Sequence, residues 1–283
     1  MKTILITGIN GFLGSNLAKA LSLENNIIGL EYSLENLFRL NKCNYKLYSA
    51  LEGIPETIFT EQYIDIVVHT AVFYGKNNED FNQMFTANLI SPFYLLDKSI
   101  IHGCKLFINT DTVLDRFVNT YALTKRQFQE WLYLRKNEIK VINMQLEHFY
   151  GPGASTTNFI TSMINKLKTN EPQINLTLGE QQRDFAYIDD VVNAYLTVIE
   201  KQNLIADPYS SFQVCTNQLI SISELMSLMK ELTESSSILN FGAVPYRENE
   251  LMYSKTDNTA LRGLGWNPNY LIREGLKHTL LNS

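Results

Sequence analysis

Cysteine is nearly missing from this chain: Cys43, Cys104 and Cys215 are three in 283 residues, scattered and odd in number. That excludes a disulfide framework and any metal motif of spaced cysteines. It fits thiols kept reduced in the cytoplasm, with no metal site. Positive charge is not in excess either. With 24 Lys and Arg against 29 Asp and Glu the formal charge is −5, so the basic stripe of a nucleic-acid surface is absent. No apolar run approaches the ~20 residues that cross a bilayer, and no membrane partner is expected. The opening Met-Lys-Thr-Ile-Leu-Ile-Thr-Gly has too short an apolar run for a secretory leader and leads directly into a folded motif. Internal repeats and low-complexity linkers are also lacking. What is present, 45% hydrophobic and 19% charged residues, suits one large α/β domain or a domain with a smaller partner.

The first positive signal is a strand at residues 2–7, followed by Gly8, Gly11 and Gly14 and an amphipathic helix through Leu17, Ala20 and Leu21. Strand, glycine turn and helix are what a dinucleotide pyrophosphate requires. The glycines allow close backbone approach and the helix N-terminus supplies amide donors. Asn10, Phe12 and Leu13 lie in the same turn and join the candidate cofactor residues. The next strand, residues 26–30, ends at Glu31, about twenty residues on, where a carboxylate accepts the ribose 2′-hydroxyl. A negative charge there repels a 2′-phosphate and favours NADH. Arg39 is within reach of such a phosphate, so NADPH stays open.

Residues 46–50 read as a third strand, 55–62 as its crossover helix and 65–71 as a fourth strand. The end of that strand, Thr70 and Ala71, borders the cofactor crevice, while His69 reads as a packed residue. Residues 82–102 form a helix apolar on nearly every side, kinked by Pro92. A partner subunit is the economical cover, with the helix at 121–136 completing a homodimer interface. A fifth strand, 105–109, delivers Thr110, Asp111 and Thr112. Tyr121 and Lys125 stand four residues apart on one face of the helix that follows. An ammonium beside a phenol is expected to lower its pKa from about 10, which suits a general acid or base. The Thr110 hydroxyl fits as a hydrogen-bond partner for a substrate oxygen. A sixth strand, 140–146, runs into the turn Gly151-Pro152-Gly153, where the chain can leave the cofactor domain.

These residues resemble the extended short-chain dehydrogenase/reductases, nucleotide-sugar branch, over essentially the whole chain. Gly8, Gly11 and Gly14 match the family's glycine turn; Thr110, Tyr121 and Lys125 match its Ser/Thr–Tyr–Lys triad. Asn88 takes the family's asparagine position on the long helix. The run from Gly179 through Arg183, Asp184 and Phe185 to Asp190 and Val191, and Leu264-Gly265-Trp266 with Pro268, match later segments. The resemblance implies a Rossmann-type doubly wound parallel sheet with a smaller discontinuous C-terminal lobe. Residues 1–151 would bind the dinucleotide, rejoined by about 184–218; residues 152–183 and 219–283 would form the substrate lobe. Helices are expected at 158–167, 191–200, 223–232 and 273–281, and a strand at 212–215.

Within the branch the chain is most similar to the subgroup that reduces the 4-keto group of a CDP-3,6-dideoxyhexulose, giving abequose- or paratose-type sugars for O-antigen. The residues behind this are 146–151, 181–185 and Phe241, Gly242 and 247–254, with His148 where most of the family has asparagine. The resemblance implies Tyr121 as proton donor, Lys125 on the nicotinamide ribose, and Thr110 orienting the carbonyl. Thr112, His148, Asn158, Arg183 and Arg247 are implied on the nucleotide sugar, the two arginines at its diphosphate. A nucleotide-sugar epimerase, or a reductase of a dTDP- or GDP-4-keto-6-deoxyhexose, remains as an alternative. A 4,6-dehydratase fits less well, because Thr112 stands where that group has the glutamate used for water elimination.

Overall fold

The computed structural model describes residues 1–40, 45–75, 80–247 and 250–282; Cys43, Glu248 and Asn249 of the sequence argument lie outside them. The strands are β1 Thr3–Thr7, β2 Asn26–Glu31, β3 Lys46–Ser49, β4 Ile66–His69, β5 Leu106–Thr112 and β6 Lys140–Leu146. After these come β7 His148–Tyr150, β8 Gln173–Leu176, β9 Gln182–Tyr187, β10 Tyr209–Val214, β11 Leu219–Ser221 and β12 Ile238–Phe241. The helices are α1 Phe12–Leu21, α2 Thr57–Thr60, α3 Phe81–Phe85, α4 Ser91–Ile101 and α5 Thr120–Leu134. They continue with α6 Phe159–Lys168, α7 Ile188–Glu200, α8 Ile222–Leu232, α9 Thr259–Gly263 and α10 Ile272–Leu281. The chain divides into two compact units, Met1–Leu146 with Tyr195–Phe212, and Glu147–Ala194 with Gln213–Ser283.

The first unit is built on a seven-stranded sheet in the order β10-β6-β5-β4-β1-β2-β3. The pairs β1–β2, β1–β4, β2–β3, β4–β5 and β5–β6 are all parallel. Continuous apolar runs such as Ile4, Leu5 and Ile6 in β1 and Ile66, Val67 and Val68 in β4 are buried, as strands covered on both faces require. On one face Leu5, Ile28, Val67 and Phe107 pack with Leu95 and Leu96 of α4 and Phe128 and Leu132 of α5. The strand order reverses between β1 and β4, and such a switch point is where open α/β sheets place their ligands.

The stretch expected as one helix over 82–102 is broken in three. A π-helical turn, Thr86–Ile90, separates α3 from α4, and Pro92 sits in the first turn of α4. Proline lacks an amide donor and crowds the carbonyl four residues back, so a wide turn before it and a fresh helix start absorb both defects. The crossover expected at 55–62 narrows to the single turn of α2.

In the second unit β11, β9 and β7 form a three-stranded sheet, antiparallel then parallel, and β12 pairs with β8. Residues 147–151, 184–194 and 213–218 group with this unit, where the sequence suggested the first; β7 and β9 pair here. Helices α6, α8 and α10 pack together through residues such as Ile164, Leu225, Met229 and Leu276. A capping box of Ser221 and Glu224 starts α8. The buried Asp190 carboxylate accepts from the amides of Asn269 (2.8 Å) and Tyr270 (3.1 Å), and Trp266 Nε1 donates to the Asp190 carbonyl. That pins the Leu-Gly-Trp segment. Among the described residues, no helix is long and apolar enough to cross a membrane.

Candidate active site

The glycine turn leaves β1 at the switch point. Gly8 has φ +63°, and a Cβ there would stand 2.8 Å from the Cα of Ala71; a Cβ on Gly14 would run into the Gly8 carbonyl. Larger residues would therefore force β1, the turn and the end of β4 apart. Gly11 is the N-cap of α1 and brings no side chain to its first-turn amides. Leu13 points into the core, so its contribution to a ligand is its backbone. Glu31 holds the turn from the side: its carboxylate accepts from Asn10 N at 2.9 Å and from Tyr32 N at 3.0 Å. Arg39 reaches the same residue, Nη1 donating to the Asn10 carbonyl at 3.2 Å, and lies over the Phe38 ring. A glycine cradle, a helix start without a side-chain cap and an acid beside it suit a dinucleotide. Thr70 Oγ1 donates to the Thr7 carbonyl, and His69 Nδ1 pairs with Thr7 Oγ1 at 2.8 Å beneath the turn. His69 is buried against Phe107 and Phe128, a packed residue as expected.

Asn88 belongs to the scaffold. Its carboxamide accepts from Phe73 N and donates to Phe73 O, both at 2.8 Å, and donates to Thr124 Oγ1 at 3.2 Å. The π-turn thus carries a buried clamp that fastens the segment after β4 to α5.

Thr110 comes from the carboxyl end of β5, and Tyr121 and Lys125 from the first two turns of α5, which Asn119 caps by accepting from Ala122 N. Thr110 and Tyr121 are partly open; Lys125 is buried. Burial pushes the Tyr121 pKa well above its usual value, helped by Tyr74, Asp111 and Tyr195 nearby. The lowering expected from Lys125 does not prevail, because Lys125 is itself driven down by burial, against which the Asp111 charge works. Two neighbours, Tyr74 and Tyr195, were not legible in the sequence, and Asp111 was read there only as a neighbour of Thr110 in the chain. The Tyr74 ring leans on the Tyr121 ring at 4.9 Å between centroids. Tyr195, from α7, hydrogen-bonds Thr110 Oγ1 at 2.7 Å. Asp111 is buried and accepts from Thr112 N and Asn143 Nδ2. Thr112 is also buried, and its hydroxyl accepts from Leu114 N.

The second unit gathers the other candidates. Arg183 donates to Glu250 Oε1 at 2.6 Å and to the Gln182 carbonyl at 2.9 Å, a pair with little solvent exposure. Arg247 is exposed. His148 keeps an exposed surface yet stacks on Phe185, and desolvation by the surrounding protein, together with the Arg183 charge, lowers its pKa to about 4. Glu147, buried, is raised to about 7 by burial and by Asp184, with the His148 amide, Ser254 and Arg183 opposing. Asn158 is the N-cap of α6: its oxygen accepts from Ile160 N and Thr161 N, and its amide donates to the Phe149 carbonyl. That commitment leaves one N–H for a ligand. Among the described residues no cluster of side chains has the makings of a metal site.

The model of the NAD dependent epimerase/dehydratase family matches residues 4–210. CDP-abequose synthase of Salmonella typhimurium is 31% identical over 98% of this chain and 97% of its own length. The dTDP-D-glucose 4,6-dehydratase of Bos taurus is 28% identical over 99% and 88%. Among solved structures, UDP-glucuronic acid 4-epimerase from Bacillus cereus, in complex with UDP-glucuronic acid and NAD, gives a TM-score of 0.86 at 20% identity over 98% of this chain and 97% of its own, a likeness of fold. With the family model across most of its length and a relative matched from end to end, the chain belongs to the NAD-dependent epimerase/dehydratase family, the extended short-chain dehydrogenase/reductases, and is an enzyme of that family.

Proposed function

We propose that this enzyme reduces the 4-keto group of a nucleotide-linked, CDP-carried 3,6-dideoxyhexulose, giving an abequose- or paratose-type sugar for O-antigen or a related polysaccharide. The full-length similarity to CDP-abequose synthase carries the substrate class. The site supports the direction: burial keeps the Tyr121 phenol protonated, which suits a donor to an oxygen that gains charge. When bound, the nicotinamide dinucleotide supplies the hydride. Tyr121 gives its proton to the C4 oxygen, Thr110 donates a hydrogen bond to the same atom, and Lys125 orients the cofactor ribose. Thr112 supports reduction over dehydration, since a buried threonine spent on Leu114 N offers no base for water elimination.

Arg183 and Arg247 would receive the diphosphate, with Glu250 giving up its place on Arg183. Glu31 favours NADH, because its fixed carboxylate would face a 2′-phosphate; Arg39 is the cation that would admit NADPH. A dimer through residues 82–102 and 121–136 is supported by the exposed Tyr94, Ile101, Trp131, Tyr133 and Leu134 on α4 and α5; a monomer in light scattering after size exclusion would remove it. The deciding experiment incubates a CDP-3,6-dideoxy-4-ketohexose with NADH or NADPH. Stoichiometric consumption of reduced cofactor and a 4-hydroxy product by mass and proton NMR are expected. Conversion with only catalytic cofactor would instead identify an epimerase.

A further inference from the structure

Thr110 has a polar neighbour that the triad does not include. Tyr195 lies on α7, is wholly buried, and places its phenolic oxygen 2.7 Å from Thr110 Oγ1. Thr110 itself is partly open. The phenol is closed to solvent, whereas the threonine whose hydroxyl it meets is not.

One proton must lie on that line, and acidity decides whose it is. A phenol ionises near pH 10, far more readily than an aliphatic alcohol, so Tyr195 is the better donor and Thr110 Oγ1 the acceptor. Burial keeps the Tyr195 phenol in its acid form. Donation from behind directs the threonine's own proton forward, and a polarised chain strengthens the outer donor. We propose that Tyr195 is a positioning residue for the reaction, donating to Thr110 Oγ1 so that the Thr110 O–H is aimed at the substrate's reacting oxygen. This rests on the reading of Thr110 given above.

The test is a double-mutant cycle of Tyr195→Phe and Thr110→Val, assayed for ketone reduction, with cofactor binding followed by fluorescence. Tyr195→Phe removes one hydrogen bond that matters most as charge develops, so kcat should fall about tenfold while KM for sugar and cofactor stays within about twofold. In the Thr110→Val background the second change should cost nothing further, and Thr110→Ser should keep the sensitivity to position 195. Multiplicative losses in the cycle, or an unchanged kcat in Tyr195→Phe, would overturn the relay. Full activity in Thr110→Val would overturn both the relay and the role of Thr110. A large loss in Thr110→Val with none in Tyr195→Phe would overturn the relay alone. Should Tyr195→Phe fail to fold, 3-fluorotyrosine at 195, a more acidic donor of nearly the same shape, should raise kcat. A fall or no change would count against donation from Tyr195.

Discussion

The polar clusters of the two units follow opposite plans. In the first, Thr110, Tyr121 and Lys125 sit on adjacent elements, and burial presses both phenol and ammonium toward their neutral forms. In the second, Arg183 keeps its charge and is held by Glu250, while Glu147 is held toward protonation beside Asp184. A set of neutral groups that each hold a proton suits proton transfer. A cation already paired with an exchangeable carboxylate suits capture of an anion by a change of partner. The proposed function would thus place chemistry and binding in differently built surroundings.

The contrast can be tested from both sides. Tyr121→Phe should lower kcat about 10³-fold with cofactor affinity retained, in the range of general-acid contributions; turnover near the parent rate in a cofactor-bound variant would break the first half. Glu147→Gln tests the second through stability. The Glu147 pKa rises from 4.5 to about 7, so its contribution favours folding below about 4.5 and is lost as pH climbs through about 7. The variant should therefore gain up to about 3 kcal/mol on the parent between about pH 4 and pH 8 in urea titrations. Equal pH slopes for both proteins would show that Glu147 ionises normally. Asn88→Ala should cost about 2 kcal/mol in the same titrations, since it removes a buried carboxamide and strands the part-buried amide and carbonyl of Phe73. Arg247→Ala should raise KM for the nucleotide sugar about tenfold and leave the cofactor KM alone. Equal rises for both ligands would sink its place at the diphosphate.

The first cluster was largely legible because its determinants are local. Glycine spacing, the i, i+4 pair on α5 and the apolar strands follow from chain geometry; β1, β2, β3, β4 and β6 fall within two residues of their expected ends, while β5 runs three residues further and β10 starts three residues earlier than expected. The second cluster was not. Its carboxylates and arginine come together only when β7 and β9 pair and the segment around Glu250 returns to Arg183. The strands β7, β8, β9, β11 and β12 are three to six residues long, too short to carry a periodic signal. Burial explains the remaining misreading. Proximity of Lys125 suggested an acidified phenol, but how much water reaches either group is a property of packing. Asn88 and Asn158 show the same limit: their positions were readable, but not the hydrogen bonds by which Asn88 holds Phe73 and Thr124 and Asn158 holds the Phe149 carbonyl.

The π-turn at Thr86–Ile90 has a consequence for how this scaffold tolerates insertions and deletions. A π-turn is an α-helix with one surplus residue, and an α-helix advances about 100° per residue. Excising one residue from 86–90 would rewind the segment into regular helix and swing whatever precedes the cut by roughly a quarter turn or more about the axis. Asn88 could then no longer reach both edges of the Phe73 peptide. A length change there would act at a distance, loosening the strand-end segment that carries Tyr74 while every residue of the triad stayed in place.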